Sequence, residues 1–174
     1  MNYLVRSMVA AACFGAASCS PGEPTPQEVP APPAWQVTAD GAGPLRLDMT
    51  LLEAYQALGE QPSEQGGADC DQRRLRGVGG SVLAVFVNHR LARIDVTDET
   101  VATDTGVRVG DPVQRVSDRY GDRVVTTPHK YTDGQYLTVT VDEDRRLVFE
   151  TDGAEVTRYR IGRLPEVEWV EGCS

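Results

Sequence analysis

Apolar and polar residues alternate most cleanly through Leu137, Val139 and Val141, with Tyr136, Thr138 and Thr140 between them. A period of two puts the apolar set on one face of a strand. Strand-like runs at 72–76, 81–87 and 91–97 are divided by glycine-rich sequence and by Asn88-His89. A second set at 136–141, 146–150 and 156–161 is divided by Asp142-Glu143-Asp144 and Asp152-Gly153, with Asp133-Gly134 marking an earlier turn. Ahead of each set the period changes. LRLDMTLLEAYQALGE (45–60) aligns with VRVGDPVQRVSDRYGD (107–122), 62 residues later. Leu51, Ala54 and Leu58 match Val113, Val116 and Tyr120, one stripe of a short helix. Thr50 with Glu53, and Asp111-Pro112 with Gln114, supply helix starts, and Gly59 and Gly121 supply stops. The pattern predicts an α+β tandem repeat over 36–102 and 103–174. Each copy is a short helix on a three-stranded antiparallel meander, giving a two-layer helix-on-sheet domain. The face away from the helices carries Thr138, Thr140, Arg158 and Arg160, a solvated or docking surface.

The first 35 residues follow another pattern. Arg6 is the only charge in 1–18, and an apolar run through Met8, Phe14 and Ala17 follows it. The run falls short of the about 20 apolar residues that span a bilayer, and it ends in small residues, as secretory signal peptides do. Ala16-Ala17-Ser18-Cys19 resembles the lipobox of bacterial lipoproteins, with Ala16 in place of the usual leucine. The resemblance implies cleavage before Cys19 and acylation of that residue. Ser20, not aspartate, follows it, which in enteric lipoproteins implies the outer membrane. Pro21, Pro24, Pro26, Pro30, Pro32 and Pro33 then make 19–35 a stand-off tether, extended at about 3.1 Å per residue.

Leu47-Asp48-Met49-Thr50, then Ala54, Leu58-Gly59 and Pro62, resembles the opening motif of the SmpA/OmlA-type small outer-membrane lipoproteins. It is similar also to the beta-lactamase inhibitor protein fold. The usual motif reads Gly-Met-Thr; here Asp48 replaces the glycine, while the second copy keeps Gly110 and lacks Met-Thr. The resemblance implies helices on an antiparallel sheet, work done through protein–protein contact, and no catalytic residues. The ending IGRLPEVEWVEGCS is similar to the close of proteobacterial lipoproteins of no assigned activity.

The net charge is −9, and removing the signal segment with Arg6 takes it to −10. That balance disfavours nucleic acid, whose binding depends on neutralising phosphates, and disfavours lying flat on anionic lipid. Apart from Cys13 in the signal segment and Cys19, Cys70 and Cys173 remain. In an oxidising compartment such a pair predicts a disulfide pinning the C-terminus, with a loop-entropy contribution of about 4–5 kcal/mol. C-x-x-C spacing is absent, and with His89 and His129 as the only histidines a zinc site is not expected; no cofactor is implied.

Catalytic patterns are sparse. Thr127-Pro128-His129-Lys130-Tyr131 gathers the most unusual polar residues, and there is no G-x-S-x-G elbow. The acidic Asp142-Glu143-Asp144 run occupies a turn and breaks calcium-loop spacing. The expectation is a non-enzymatic, periplasm-facing lipoprotein, membrane-held through its lipid, that binds an envelope protein. His129, Lys130, Tyr131, Arg158 and Arg160 are its candidate contacts. Two alternatives stay open: a small-ligand or glycan binder stacking on Trp35, Trp169 and Tyr131 between the repeats, and a hydrolase around His129.

Overall fold

The computed structural model describes residues 35–61, 69–77 and 80–173. The signal segment, Cys19 and almost all of the tether lie outside the described residues. The chain runs β1 (Gln36–Thr38), β2 (Gly41–Ala42), β3 (Leu45–Arg46), α1 (Leu51–Ala57), β4 (Cys70–Gly77), β5 (Gly80–Val87), β6 (Arg90–Val96) and β7 (Ala102–Thr103). It continues with α2 (Val113–Tyr120), β8 (Val124–Pro128), β9 (Gln135–Thr140), β10 (Arg145–Thr151) and β11 (Val156–Arg163). Single 3-10 turns occupy Gly121–Arg123 and Glu166–Glu168.

The architecture is mostly β. Seven antiparallel strands form one sheet in the order β4-β5-β6-β11-β10-β9-β8. A small mixed sheet, β3-β2-β1-β7, joins β1 to β7 in parallel. The predicted tandem of helix-on-meander repeats is therefore incorrect. β6 pairs directly with β11, Val96 opposite Tyr159 and Ile94 opposite Ile161, so both halves share one sheet. The second half contributes four strands to it, because β8 adds an unpredicted edge. The two helices, of 7 and 8 residues, are too short to make a layer alone. They share the covering of the sheet with β1, β2, β3 and β7, elements too brief to show a period.

The local matches nevertheless have a structural cause. Asp48 N–H bonds Leu91 O and Leu91 N–H bonds Met49 O; Gly110 N–H bonds Val156 O and Val156 N–H bonds Asp111 O, all at 2.8 Å. The same backbone pattern thus recurs 62 residues on, tying each helix start to a strand of the central pair. Asp48 has φ +68° where the matching Gly110 has φ +85°. The left-handed backbone explains the glycine, and aspartate tolerates that region better than most residues. Thr50 and Glu53 form the expected reciprocal cap on α1. Asp111 does not cap α2, whose N-cap is Pro112 with no side-chain bond; its carboxylate instead accepts from Arg108 N–H at 2.8 Å and pairs with Arg115 at 3.2 Å.

One face of the large sheet carries the main core. Leu137, Val139, Leu147, Phe149, Tyr159, Ile161 and Ile94 pack with Ala54, Val116 and Tyr120 from the helices and Trp35, Val37 and Leu45 from the small sheet. Each large side chain buried this way contributes about 1.5–3 kcal/mol. Phe149 packs its ring against Tyr120 and Tyr159 at 5.6 and 5.5 Å, and Tyr159 OH donates to Val101 O at 2.9 Å.

The opposite face is partly covered by residues 164–173, which cross it as a strap. Val167 is fully buried, and Trp169 packs with the Cys70–Cys173 disulfide over Val85, Val87 and Ala92. That disulfide closes a sequence separation of 103 residues. Arg93 donates to the carbonyls of Glu166 and Trp169 and is paired with Asp95 at 2.6 Å, and Arg160 Nε donates to Val167 O at 2.7 Å. The strap is thus held by side chains rising from the sheet rather than by strand pairing.

Candidate functional site

The strap leaves the β8–β9 part of this face open, while Val148 and Glu150 of β10 are buried beside it. Strand alternation sets Val125 and Thr127 beside Thr138 and Tyr136, then Val148 and Glu150, then Arg160 and Arg158. Glu168 and Val170 of the strap form the far wall of a concavity of about 380 Å³ over Val125, Thr138, Val148 and Arg146. A second one of about 380 Å³ lies at the His129 end, lined by His129, Asp133, Glu150, Asp152 and Arg158.

Glu150 joins the two. It is 2% exposed, and its carboxylate accepts from Arg160 Nη1, from Arg158 Nε at 2.5 Å and from His129 Nε2 at 3.3 Å. Burial alone would raise its pKa, but the charges of Arg160 and Arg158 and their hydrogen bonds outweigh it, so the carboxyl is held below its ordinary value. Burial and the nearby Arg93 lower the pKa of Arg160, opposed by Glu150. His129 stacks on Tyr136 with ring centres 4.5 Å apart, and the Arg160 guanidinium stands 5.7 Å from the centre of the Tyr136 ring.

The candidate contacts therefore divide. Arg160, expected on an open face, is 3% exposed and committed to Glu150 and the strap. Its place in the alternation was legible; the strap above it was not. The Arg158 side chain is 47% exposed and reaches solvent beside Glu150. Tyr131 is exposed, with its hydroxyl donating to Glu171, and Lys130 Nζ lies 4.9 Å from the centre of the Tyr131 ring. Val125 went unnoticed because β8 lacks alternation, and Tyr136, although placed in a strand, carried no signal of the His129 ring it stacks on. Glu150 went unnoticed because its two arginine partners only meet once β10 and β11 pair.

The His129 nitrogens are both engaged. Nδ1 accepts from Tyr131 N–H at 3.1 Å, which leaves Nε2 to carry the proton toward Glu150. Nearby hydroxyls are occupied too: Thr157 donates to Glu150 O at 3.1 Å and Thr151 to Gln135 O at 3.3 Å. No free base faces a free nucleophile in this group, as covalent catalysis requires. His89, with Asn88, forms the β5–β6 turn in left-handed backbone and is exposed. No cluster of metal-ligating side chains occurs among the described residues. The aromatics of the ligand-binding alternative do not converge. Trp35 is buried in the main core, Trp169 of the strap packs over Val85, Val87 and Ala92, and Tyr131 is exposed at the loop. The junction between the halves is a hydrogen-bonded β6–β11 ladder.

The chain matches no protein-family model and no curated protein. Among solved structures it is similar in fold to the crystal structure of the uncharacterized protein yfeY from Escherichia coli, at a TM-score of 0.44 and 16% sequence identity, covering 74% of this chain and 99% of that one.

Proposed function

We propose that this chain is a lipid-anchored, periplasm-facing module of the bacterial envelope that binds another envelope protein and performs no chemistry of its own. The observation that carries the reading is the uncovered β8–β9 face, where Val125 is 59% exposed beside a shallow, mixed apolar and hydroxyl-lined concavity, with Tyr131, 58% exposed, on the loop that joins the two strands. Large side chains left exposed on an edge strand and its adjoining loop suit protein contact better than chemistry. The engaged nitrogens of His129 point the same way. So does the resemblance to SmpA/OmlA-type lipoproteins carried by Leu47–Thr50 and Leu58-Gly59. The membrane tie is assigned to Cys19: the wild-type protein should fractionate with membranes, and Cys19→Ser should release it into the soluble fraction.

The decisive experiment is photo-crosslinking in living cells with the reactive group at Tyr131 and, separately, at Arg158. A discrete protein adduct at either position supports the reading and identifies the partner. No adduct at either, from folded and membrane-held protein, refutes it in favour of ligand binding.

A further inference from the structure

We infer that the partner is captured through strand β8, whose free edge accepts an extended segment of that protein bearing acidic residues. The inference rests on the protein-binding reading and specifies its mode.

The sheet has two edges of opposite character. β4 is guarded: Asp71, Arg73, Arg74 and Arg76 occupy half of it, and its first residue is held by the disulfide to the strap. Charges on an edge discourage pairing with another chain. β8 reads Val-Val-Thr-Thr-Pro, without a charge, and four of its five residues are exposed. β-Branched residues on an uncovered edge favour strand addition.

Backbone alternation defines what the edge offers. His129 N–H bonds Gly134 O at 3.0 Å and continues the β8–β9 register, so Val125 and Thr127 direct their peptide groups toward β9. Val124, Thr126 and Pro128 face the other way. Val124 N–H is taken by Gly121 O. What remains is one donor, Thr126 N–H, and three acceptors, the carbonyls of Val124, Thr126 and Pro128. Pro128 fits this assignment, since an edge position is where a missing N–H costs no ladder bond. An antiparallel segment centred on Thr126 would engage all four groups.

Charge selects the occupant. Arg123 precedes the strand and Lys130 follows it; neither has an ion pair among the described residues, each lying instead over a tyrosine ring at 5.5 and 4.9 Å. Asp122 sits in the turn before the strand, and Glu171, the acceptor of the Tyr131 hydroxyl, is the carboxylate whose charge acts on Lys130. Antiparallel self-pairing about Thr126 would set Lys130 of each copy opposite Asp122 of the other but Arg123 opposite His129, so Arg123 would gain no anion, between chains already strongly acidic overall. A foreign strand with acidic flanks meets the same two cations favourably.

The probe is a short synthetic peptide of alternating valine and threonine with aspartate at both ends, titrated into the protein and followed by fluorescence anisotropy and amide exchange. Binding should slow exchange of the Thr126 amide about tenfold or more. Thr126→Pro, which removes the free donor and leaves the bonds to β9 in place, should abolish binding with the melting curve retained. Arg123→Glu with Lys130→Glu keeps the backbone edge and should weaken binding about tenfold or more. Failure of the peptide to bind, or binding that leaves the Thr126 amide unprotected, overturns the inference. In cells, loss of the Tyr131 adduct in Thr126→Pro supports it. A retained adduct overturns edge capture while leaving the protein-binding reading intact, and an adduct of two copies of this chain overturns it in favour of self-association.

Discussion

Replacing Glu150 by glutamine should be far more costly than its chemistry suggests. The carboxylate is 2% exposed and neutralises Arg160, which is 3% exposed and has no other anion in contact among the described residues. The amide leaves that guanidinium buried and uncompensated, a defect of about 3–5 kcal/mol. Arg160→Met should cost less, about 2 kcal/mol, because Glu150 loses its bond from Arg160 but keeps Arg158 at 2.5 Å and His129 at 3.3 Å, and the bond to Val167 O is lost as well. Glu150→Gln combined with Arg160→Met should cost less than Glu150→Gln alone, since no buried guanidinium is then stranded. Urea unfolding at pH 7, with midpoints compared at constant slope, closes the double-mutant cycle. A cost below about 1 kcal/mol for Glu150→Gln, or single costs that simply add, would refute the claim that Glu150 supports the site.

Acid should act through the same group. Its pKa is lowered on folding from 4.5, so its contribution is complete above that value and is lost as pH falls through the lower folded value. Glu53, Asp98 and Asp152 are shifted in the same direction. The wild-type melting temperature should therefore decline below about pH 4.5, and less steeply in Glu150→Gln. Cys173→Ser should destabilise by about 2–4 kcal/mol and speed amide exchange in the strap around Val167 more than in β9; equal acceleration in both would contradict a pinned strap. Asp48→Gly should lie between neutral and about 1 kcal/mol stabilising, because relief of the left-handed backbone offsets loss of the 2.8 Å pair with Arg163. Gly110→Ala, with no atom near its added methyl, should lose about 1 kcal/mol from backbone strain alone, and thermal melts of the two variants with opposite signs would verify the shared conformation.

Local patterns determined a good deal by themselves. Six strands of the large sheet were legible because residues such as Leu137 and Val139 face a core while their neighbours do not, and polar turns such as Asn88-His89 separate them. The Thr50–Glu53 cap and the pairing of Cys70 with Cys173 were legible too, the first because it spans three residues and the second because no other thiol remained after Cys13 and Cys19. Only tertiary structure decided the rest. The β6–β11 ladder turns two apparent repeats into one sheet, and no local pattern encodes a register between residues more than sixty positions apart. β8 carries threonines where a predicted strand would alternate, because an edge strand has less core to face. Arg160 has the outward phase of an exposed residue, yet Val167 lies over it, held there by hydrogen bonds and a distant disulfide. Alternation reports which face a side chain takes; what covers that face depends on chain returning from elsewhere, and that return built the candidate site.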